Sequence, residues 1–279
     1  VEIEEVAFGL STTNMLIHGD GNSNIKLGSL FDMKDFFVEA NPDIILMNPP
    51  YNAKPRSIPD KYKACWNAKQ KDGKEDPTKG FVFAEFISDC LKNINDTRIK
   101  DGQSKKEIKL AILLPVSAAI GSNSVLTAAK EKMLDENTLE AVFTLPNEVF
   151  YPGASVSACC MVFTLGRPHK TADGSIKDTF FGYYKDDGFI KRKNLGRVEQ
   201  FSKEDHSLWK DIEEKWLDLY RNKKVVDGLS ATAPVTHEDE WLAEAYMKTD
   251  YSTLTEADFE KTIRDYYSYL IKDGGDIID

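Results

Sequence analysis

The sequence predicts an α/β fold with antiparallel strands at one edge of the sheet and a helical C-terminal extension. Over the first 165 residues, short apolar runs rich in β-branched residues alternate with helical patterns, which is typical of parallel α/β sheets. Two later apolar runs, within residues 156–184, follow each other without a helical pattern, so we expect antiparallel strands there. From residue 200 onward, apolar residues recur at helical spacing. We therefore predict a domain over residues 1–199 and an acidic helical extension over residues 200–279.

The N-terminal elements are short. Residues 1–3 resemble the end of a strand, residues 5–17 have a helical period, and residues 25–27 form a second short strand. The third strand, residues 43–47, is apolar without alternation, so we expect both of its faces to be buried. It ends abruptly at Asn48-Pro49-Pro50-Tyr51.

The segment of residues 52–80 separates this strand from the next helix. It has no periodicity, contains several Pro and Gly residues, and holds eight Lys and Arg residues, among them Lys54 and Arg56, against four acidic residues. We expect a long irregular loop, and loops of this length are usually functional or disordered.

The later elements follow the same reasoning. An apolar stripe over residues 81–94 predicts a helix, and a second helix is predicted over residues 122–135. Apolar runs predict strands at residues 108–114, 139–145, 156–165 and 180–184, the last as a possible edge hairpin. In the extension, Ser202-x-x-Asp205 and Thr255-x-x-Asp258 resemble helix caps, and Gly274-Gly275 is a stop signal.

Composition and charge limit the class of protein. The chain has 279 residues, 41% of them hydrophobic and 29% charged, as in soluble globular proteins. Its net charge of −10 argues against a protein that coats nucleic acid by charge alone. Residues 200–279 carry −9 of that charge, so residues 1–199 are close to neutral. The uncharged runs contain Pro, Gly and Ser, so we expect no membrane span, and the absence of a secretion signal or CxxC pair makes the cytoplasm the default location.

The most specific pattern is Asn48-Pro49-Pro50-Tyr51 at the end of a predicted buried strand, where open α/β sheets bind ligands. The Asn48 amide oxygen and the Pro49 carbonyl offer two acceptors to the two hydrogens of an exocyclic amine. Tyr51 supplies a flat face on which an extruded base can stack. The alternative is a rigid turn that ends the strand, with Tyr51 as packing.

This motif resembles the catalytic motif of amino-group methyltransferases that use S-adenosylmethionine, most of all the N6-adenine DNA methyltransferases. The downstream pattern of residues 110–115, 141–151 and 161–165 is similar to the modification (M) subunit of type I restriction-modification systems, and the likeness covers about residues 1–200. The resemblance implies a Rossmann-like sheet, DNA as substrate, and assembly with a specificity subunit and a second modification subunit. A restriction subunit is a further candidate partner.

The resemblance also implies roles for single residues. Asn48 and Pro49 would hold the adenine amine, with Pro50 completing the motif, and Tyr51 would stack on the base. Phe150 and Tyr151 correspond roughly to an aromatic position that packs against the flipped base, although Phe150 can also be core. Lys54 and Arg56 are candidates for contacts to DNA phosphates.

The cofactor residues are the weaker part of this match. Glu2 corresponds to the acidic residue that binds the ribose hydroxyls, although beside Glu4 and Glu5 it can equally be a solvated charge. Asn48 would also border the cofactor, and Gly28-Ser29 stands where the family usually has Gly followed by an acidic residue.

The Gly-rich loop of the family, which follows its first strand, has no counterpart in this sequence. We therefore expect a partial sheet whose first strand is missing, and a chain that begins at Val1, just after its own cofactor loop. Two alternatives stay open. One is a protein-glutamine methyltransferase, because a side-chain amide also presents an NH₂ group. The other is a catalytically incompetent fragment that serves as a partner-binding module. The four His show no metal-ligand spacing, so no metal is expected.

Overall fold

The computed structural model describes residues 1–19, 24–51, 57–252 and 254–272, and the chain divides into two units, Val1–Met247 and Lys248–Asp279. The strands are β1 (Ile44–Met47), β2 (Ile108–Pro115), β3 (Asn137–Thr144), β4 (Ala158–Leu165), β5 (Asp178–Tyr183), β6 (Phe189–Arg192), β7 (Gly196–Glu199) and β8 (Ser230–Pro234). The helices are α1 (Glu5–Ile17), α2 (Lys34–Ala40), α3 (Ala68–Lys71), α4 (Phe81–Lys100), α5 (Val116–Ile120), α6 (Ser124–Glu136), α7 (Leu208–Arg221) and α8 (Glu256–Lys272). Short 3₁₀ turns lie at Leu30–Asp32, Asp60–Lys63 and Ala243–Ala245.

Six strands form one mixed sheet in the order β1-β2-β4-β3-β5-β8. β1 runs parallel to β2 and β3 runs parallel to β5, whereas β4 is antiparallel to both of its neighbours and β8 is antiparallel to β5. The α/β class and the antiparallel strands are therefore confirmed. β5 is not half of an edge hairpin, because it lies parallel to β3 inside the sheet. β6 and β7 form a separate two-stranded hairpin.

The helices on the sheet follow the predicted patterns. The stripe on residues 81–94 is the buried face of α4, with Phe81, Val82 and Leu91 fully buried. α6 begins after Asn123, whose side-chain oxygen accepts a hydrogen bond from the Leu126 N–H at 3.1 Å. Both helices pack on one another, so they form a layer over the sheet.

The prediction that residues 43–47 are buried on both faces is wrong. The Ile44 side chain is 69% exposed and that of Leu46 is 82% exposed. β1 is an edge strand, and within the described ranges no strand pairs with its outer edge. An apolar run without alternation shows that both faces of a strand are suited to burial. Whether they are buried depends on the elements that pack against the strand.

Residues 200–247 are less helical than their sequence suggests. α7 is present, but its cap is Ser207, whose hydroxyl accepts from the Lys210 N–H, and not Ser202. β8 joins the main sheet, and Trp241 is fully buried with its ring against those of Phe81 and Phe163, at centroid distances of 5.9 and 6.4 Å. The first unit therefore extends to Met247, beyond the predicted boundary at residue 199.

The aromatic stripe of α7 packs inside the first unit. Trp216 stacks on Tyr184 with ring centroids 4.1 Å apart, and Trp209 meets Trp216 edge-on at 5.6 Å. The apolar residues that recur at helical spacing in this part of the sequence therefore serve internal packing.

The second unit contains α8. Its start matches the prediction, because the Thr255 N–H and hydroxyl both donate to the Asp258 carboxylate, at 2.8 and 2.7 Å. The stop signal Gly274-Gly275 lies outside the described residues. Across the described ranges, no helix combines the length and the apolar character that crossing a membrane requires.

Candidate active site

A cavity of about 1200 Å³ opens at the carboxyl end of β1. Most of its lining comes from four stretches of the chain: residues 1–4, 28–37, 45–51 and 150–156. Pockets for one small ligand usually measure about 300–1000 Å³. The cavity therefore has room for two ligands side by side, at the edge where α/β sheets bind them.

The predicted catalytic motif forms part of this wall. Pro49 is buried, Asn48 and Pro50 are exposed, and Tyr51 is half-buried. The Tyr51 hydroxyl donates a hydrogen bond to Asn48 Oδ1 at 2.8 Å. An amide oxygen has two lone pairs, so Asn48 can still accept a second hydrogen.

The tyrosine is a permanent donor to Asn48. Burial raises the pKa of Tyr51 to about 12, and the nearby thiols of Cys159 and Cys160 add to the effect. The hydroxyl therefore stays protonated at any working pH. This bond fixes the orientation of the Asn48 side-chain amide, with Oδ1 on the side of Tyr51.

The floor beneath the motif is built from residues 76–80. The Asp76 carboxylate accepts from the Thr78 N–H at 2.8 Å, the Thr78 hydroxyl at 2.7 Å and the Gly80 N–H at 2.9 Å. Desolvation raises the pKa of Asp76, and these hydrogen bonds oppose that shift. Gly80, with φ of +100°, brings the backbone so close that an added Cβ would lie 3.3 Å from Pro49 Cγ. Asp76 and Gly80 are supporting residues that the sequence prediction missed; the pattern Asp-x-Thr-x-Gly was the available signal.

The described part of the basic segment is largely a loop, as predicted, but it is packed against the domain. Residues 57–80 contain a 3₁₀ turn and α3, and Tyr62 and Trp66 are buried. Asp89 on α4 holds the segment, since its Oδ2 accepts from Lys61 at 2.7 Å and from the Tyr62 hydroxyl at 2.9 Å. The pattern of charges along the sequence does not show that Asp89 anchors this segment. Lys54 and Arg56 lie outside the described residues.

Glu2, Gly28 and Ser29 come together on the opposite wall. The two predicted strands reduce to a parallel bridge between Glu2 and Leu27, in which the Gly28 N–H donates to the Glu2 carbonyl at 2.8 Å. Glu2 Oε1 accepts from the N–H groups of Ile3 and Glu4 at 2.8 and 3.0 Å, at the start of α1. The Ser29 hydroxyl accepts from the Phe31 N–H and begins a 3₁₀ turn. All three residues line the cavity that also contains Asn48.

The two aromatic candidates differ in position. Phe150 lines the cavity, with its ring centroid 6.0 Å from that of Tyr51 and the ring planes at 58°. Tyr151 does not line the cavity, and its ring instead lies 4.2 Å from the Lys191 Nζ. Of the three aromatic residues predicted to contact the base, Tyr51 and Phe150 therefore line the cavity and Tyr151 does not.

The wall around Glu2 fits the nucleoside half of S-adenosylmethionine. The Glu2 carboxylate can accept hydrogen bonds from ribose hydroxyls, and Phe31, Phe36 and Ile45 supply apolar surface for an adenine ring. Within the described ranges, no three His, Cys, Asp or Glu side chains are grouped so that they could hold a metal ion.

Comparisons with known proteins show similarity in sequence and in fold. The type II restriction enzyme and methyltransferase RM.BcgI of Heyndrickxia coagulans is 28% identical over 273 residues, which are 96% of this chain and 36% of that protein. The fold resembles the type I restriction-modification methyltransferase subunit of Streptococcus thermophilus (TM-score 0.59, 20% identity, 88% of this chain and 48% of the other). It also resembles a modification subunit of a putative type I restriction enzyme of Vibrio vulnificus (TM-score 0.50, 14% identity, 83% and 42%).

This chain spans about half or less of the length of these relatives. A family model described as N-6 DNA Methylase matches residues 1–269, nearly the whole sequence. The chain therefore belongs to the N-6 DNA Methylase family.

Proposed function

We propose that this chain is the catalytic part of a DNA methyltransferase that transfers a methyl group from S-adenosylmethionine to the N6 amine of adenine. One observation carries the proposal: a single cavity contains Asn48 and Tyr51 on one wall, Glu2 on another and Phe150 on a third. A site for an amine, a site for a nucleoside and a pair of aromatic rings therefore border the same space. The volume of about 1200 Å³ accommodates a cofactor and a base together.

The chemistry assigned to the motif is positioning. An aromatic amine is a poor nucleophile because its lone pair is delocalised into the ring. Asn48 Oδ1 and the Pro49 carbonyl each accept one amine hydrogen, which favours a pyramidal nitrogen whose lone pair points away from the protein. Pro50 keeps the turn rigid, and Tyr51 keeps the Asn48 oxygen in place through the 2.8 Å bond. When bound, S-adenosylmethionine supplies the electrophilic methyl group.

The target base must leave the duplex to reach this site. Tyr51 supplies the stacking face, and Phe150 packs against the base from another side. Tyr151, which the family resemblance assigns to the base, belongs to the rim of the cavity, because its ring faces Lys191 and not the cavity.

The cofactor residues are assigned from the opposite wall. Glu2 would bind the ribose hydroxyls, and Gly28 with Ser29 would border the adenine ring of the cofactor. Asn48 lies at the junction of the two subsites. We also propose that the catalytic domain extends to Met247, because β8 and Trp241 complete its sheet and core.

The partners proposed are DNA, a specificity subunit and a second modification subunit, with a restriction subunit as a further candidate, in the cytoplasm. The support is the family, together with the names of the similar structures, which are subunits of type I systems. The same family match disfavours the protein-glutamine alternative.

The test is Asn48→Ala in the full-length protein, with Asn93→Ala on the exposed side of α4 as the matched control. Removing one of two acceptors at the reacting amine should lower the methylation rate by about 10²–10³-fold, by analogy with the loss of one oxyanion-hole hydrogen bond. The measurement is transfer of tritiated methyl groups to adenine in unmethylated DNA, and to a glutamine-containing peptide in parallel.

Calorimetric titration with S-adenosylmethionine completes the design. Cofactor binding with loss of adenine methylation only in the Asn48 variant would support the proposal. Near-normal methylation by Asn48→Ala, or transfer to the peptide alone, would refute it. Absence of cofactor binding to the wild-type protein would favour the partner-binding alternative.

A further inference from the structure

The hairpin β6–β7 is a feature that the proposed catalytic site does not use. Its residues 191–197 read Lys-Arg-Lys-Asn-Leu-Gly-Arg, with four basic residues and no acidic one. The chain as a whole has a net charge of −10, so such a cluster is unusual for its surface. Such a concentration of positive charge at the end of a hairpin favours binding to an anionic partner.

The base of the hairpin is firmly held. Arg197 and Asp187 form a bidentate ion pair at 2.8 and 2.6 Å, and both side chains are largely buried. Phe189 packs edge-on against Trp209 of α7, with ring centroids 6.3 Å apart. The ion pair with Asp187 neutralises the charge of Arg197. Together with the ring contact of Phe189, it fixes the direction in which the hairpin projects.

One side of the hairpin lies against the loop that forms the cavity wall. Lys191 Nζ is 3.1 Å from the Glu148 carboxylate and 4.2 Å from the Tyr151 ring centroid. A Cβ placed on Gly196 would lie 3.7 Å from Pro152 Cδ. Phe150 and residues 153–154 of the same loop line the cavity, so the hairpin stands at the cavity rim.

The tip is exposed and keeps its charge. Arg192 and Lys193 are exposed and form no ion pair with any described residue, in contrast to Lys191 and Arg197. Asn194, with φ of +65°, makes the turn, and Leu195 after it is 74% exposed. The tip therefore presents two free cations and one apolar side chain to solvent.

We infer that the hairpin β6–β7 is a DNA-contacting element, in which Arg192 and Lys193 bind backbone phosphates beside the cavity and Leu195 enters the base stack next to the flipped nucleotide. The inference rests on the proposed function and assigns it further residues. Phosphates are the partner that two unpaired cations at the rim of a base-binding cavity fit. Apolar side chains such as Leu act as wedges between base steps in other DNA-binding proteins.

The first experiment measures salt dependence. The double variant Arg192→Gln/Lys193→Gln is compared with the control Lys100→Gln/Lys105→Gln, which also removes two exposed charges. Lys100 is the last residue of α4, about 30 Å along the helix from Gly80, and Lys105 follows it. Binding of the full-length protein to a fluorescent 30-base-pair duplex of arbitrary sequence is followed between about 50 and 200 mM salt. Loss of two phosphate contacts should lower the slope of log affinity against log salt by about 2, and the control pair should leave it unchanged.

The second experiment tests the wedge. Leu195→Ala should bind the arbitrary duplex as the wild type does, yet methylate unmethylated DNA about tenfold more slowly, because base flipping loses its apolar support. Leu254→Ala, at a residue 44% exposed in the second unit, is the matched control. A Leu195 variant with the wild-type rate would overturn the wedge.

The outcomes separate this inference from the proposed function. If the wild type methylates adenine but the hairpin pair keeps the slope of the control pair, the hairpin inference fails alone. If that slope is unchanged while the hairpin pair loses co-purifying subunits, the hairpin binds an acidic protein surface, which also overturns it. If the wild type does not methylate adenine, the proposed function fails, and the salt slope still decides whether the hairpin binds DNA.

Discussion

Replacing Gly80 by Ala tests whether the floor beneath the proposed catalytic motif is as tight as the structure shows. Gly80 precedes α4 with φ of +100°, and a Cβ there would lie 2.7 Å from Leu114 Cδ2 and 3.3 Å from Pro49 Cγ. Leu114 is fully buried, so its methyl group cannot move aside into solvent. The substitution therefore adds a steric overlap to a backbone strain.

The two costs can be separated with Gly102→Ala, which lies just after the C-terminal end of α4. Gly102 has φ of +72°, and an added Cβ would meet nothing within 4 Å. Left-handed backbone costs a non-glycine residue about 1–2 kcal/mol, and overpacking a core costs about 1–3 kcal/mol more. We expect Gly80→Ala to lower the free energy of unfolding by about 2–5 kcal/mol and Gly102→Ala by about 1–2 kcal/mol.

The assays are urea denaturation of both full-length variants and their DNA methylation rates at a temperature where both stay folded. The entropy that Ala removes from the unfolded chain is common to both variants and cancels in the comparison. Because only Gly80 contacts Pro49, only Gly80→Ala should slow methylation. Equal losses of stability in the two variants, or full activity in Gly80→Ala, would refute the account of the floor.

Two further predictions concern the hydroxyl of Tyr51 and the carboxyl of Glu85. Tyr51→Phe removes only the hydrogen bond to Asn48 and should slow methylation about three- to tenfold. Tyr51→Ala also removes the stacking face and should be at least tenfold slower again in the same assay. A faster rate for Tyr51→Ala than for Tyr51→Phe would contradict these roles. Burial raises the pKa of Glu85 from 4.5 to about 7, so its contribution to stability is present at pH 4.5 and lost as the pH rises through 7. Between pH 4.5 and 8, the free energy of unfolding of the wild type, measured by urea titration, should fall by up to about 3 kcal/mol relative to that of Glu85→Gln. Glu131→Gln, at an exposed position, is the control. Parallel pH profiles of the wild type and Glu85→Gln would exclude this effect.

Much of the local structure followed from the sequence. The stripe over residues 81–94, the apolar runs of β2, β3 and β4, and the Thr255 cap of α8 are local signals, and each element forms where its signal lies. The proposed catalytic motif was also recognised from local sequence, because Asn-Pro-Pro-Tyr after an apolar strand is specific in itself. Glu2, Gly28 and Ser29 were placed by resemblance, and the structure puts them on the same cavity as Asn48.

Other features had no local signal. β8 has the sequence Ser-Ala-Thr-Ala-Pro, which lacks a pronounced strand pattern, and it becomes a strand because β5 offers it a free edge. Ser207 caps α7 instead of Ser202, because residues 202–206 form a turn, closed by a hydrogen bond from the Ser202 N–H to the His206 carbonyl, before the helix starts. Lys130 is buried in a core helix, where its Nζ donates to the Ala119 and Asp239 carbonyls at 2.6 and 3.1 Å, although its sequence position suggests a solvated charge.

The sequence by itself determined the α/β class, the position of the proposed catalytic motif at the end of β1 and the family to which that motif points. The tertiary structure alone decided that β1 is an exposed edge, that Asp76 and Gly80 form the floor under Pro49, that Phe150 and not Tyr151 borders the cavity, and that a basic hairpin stands at its rim. The physical reason is the range of the interactions. Turns, caps and strand ends depend on neighbours along the chain, whereas burial and the walls of a cavity depend on segments that meet only when the sheet has formed.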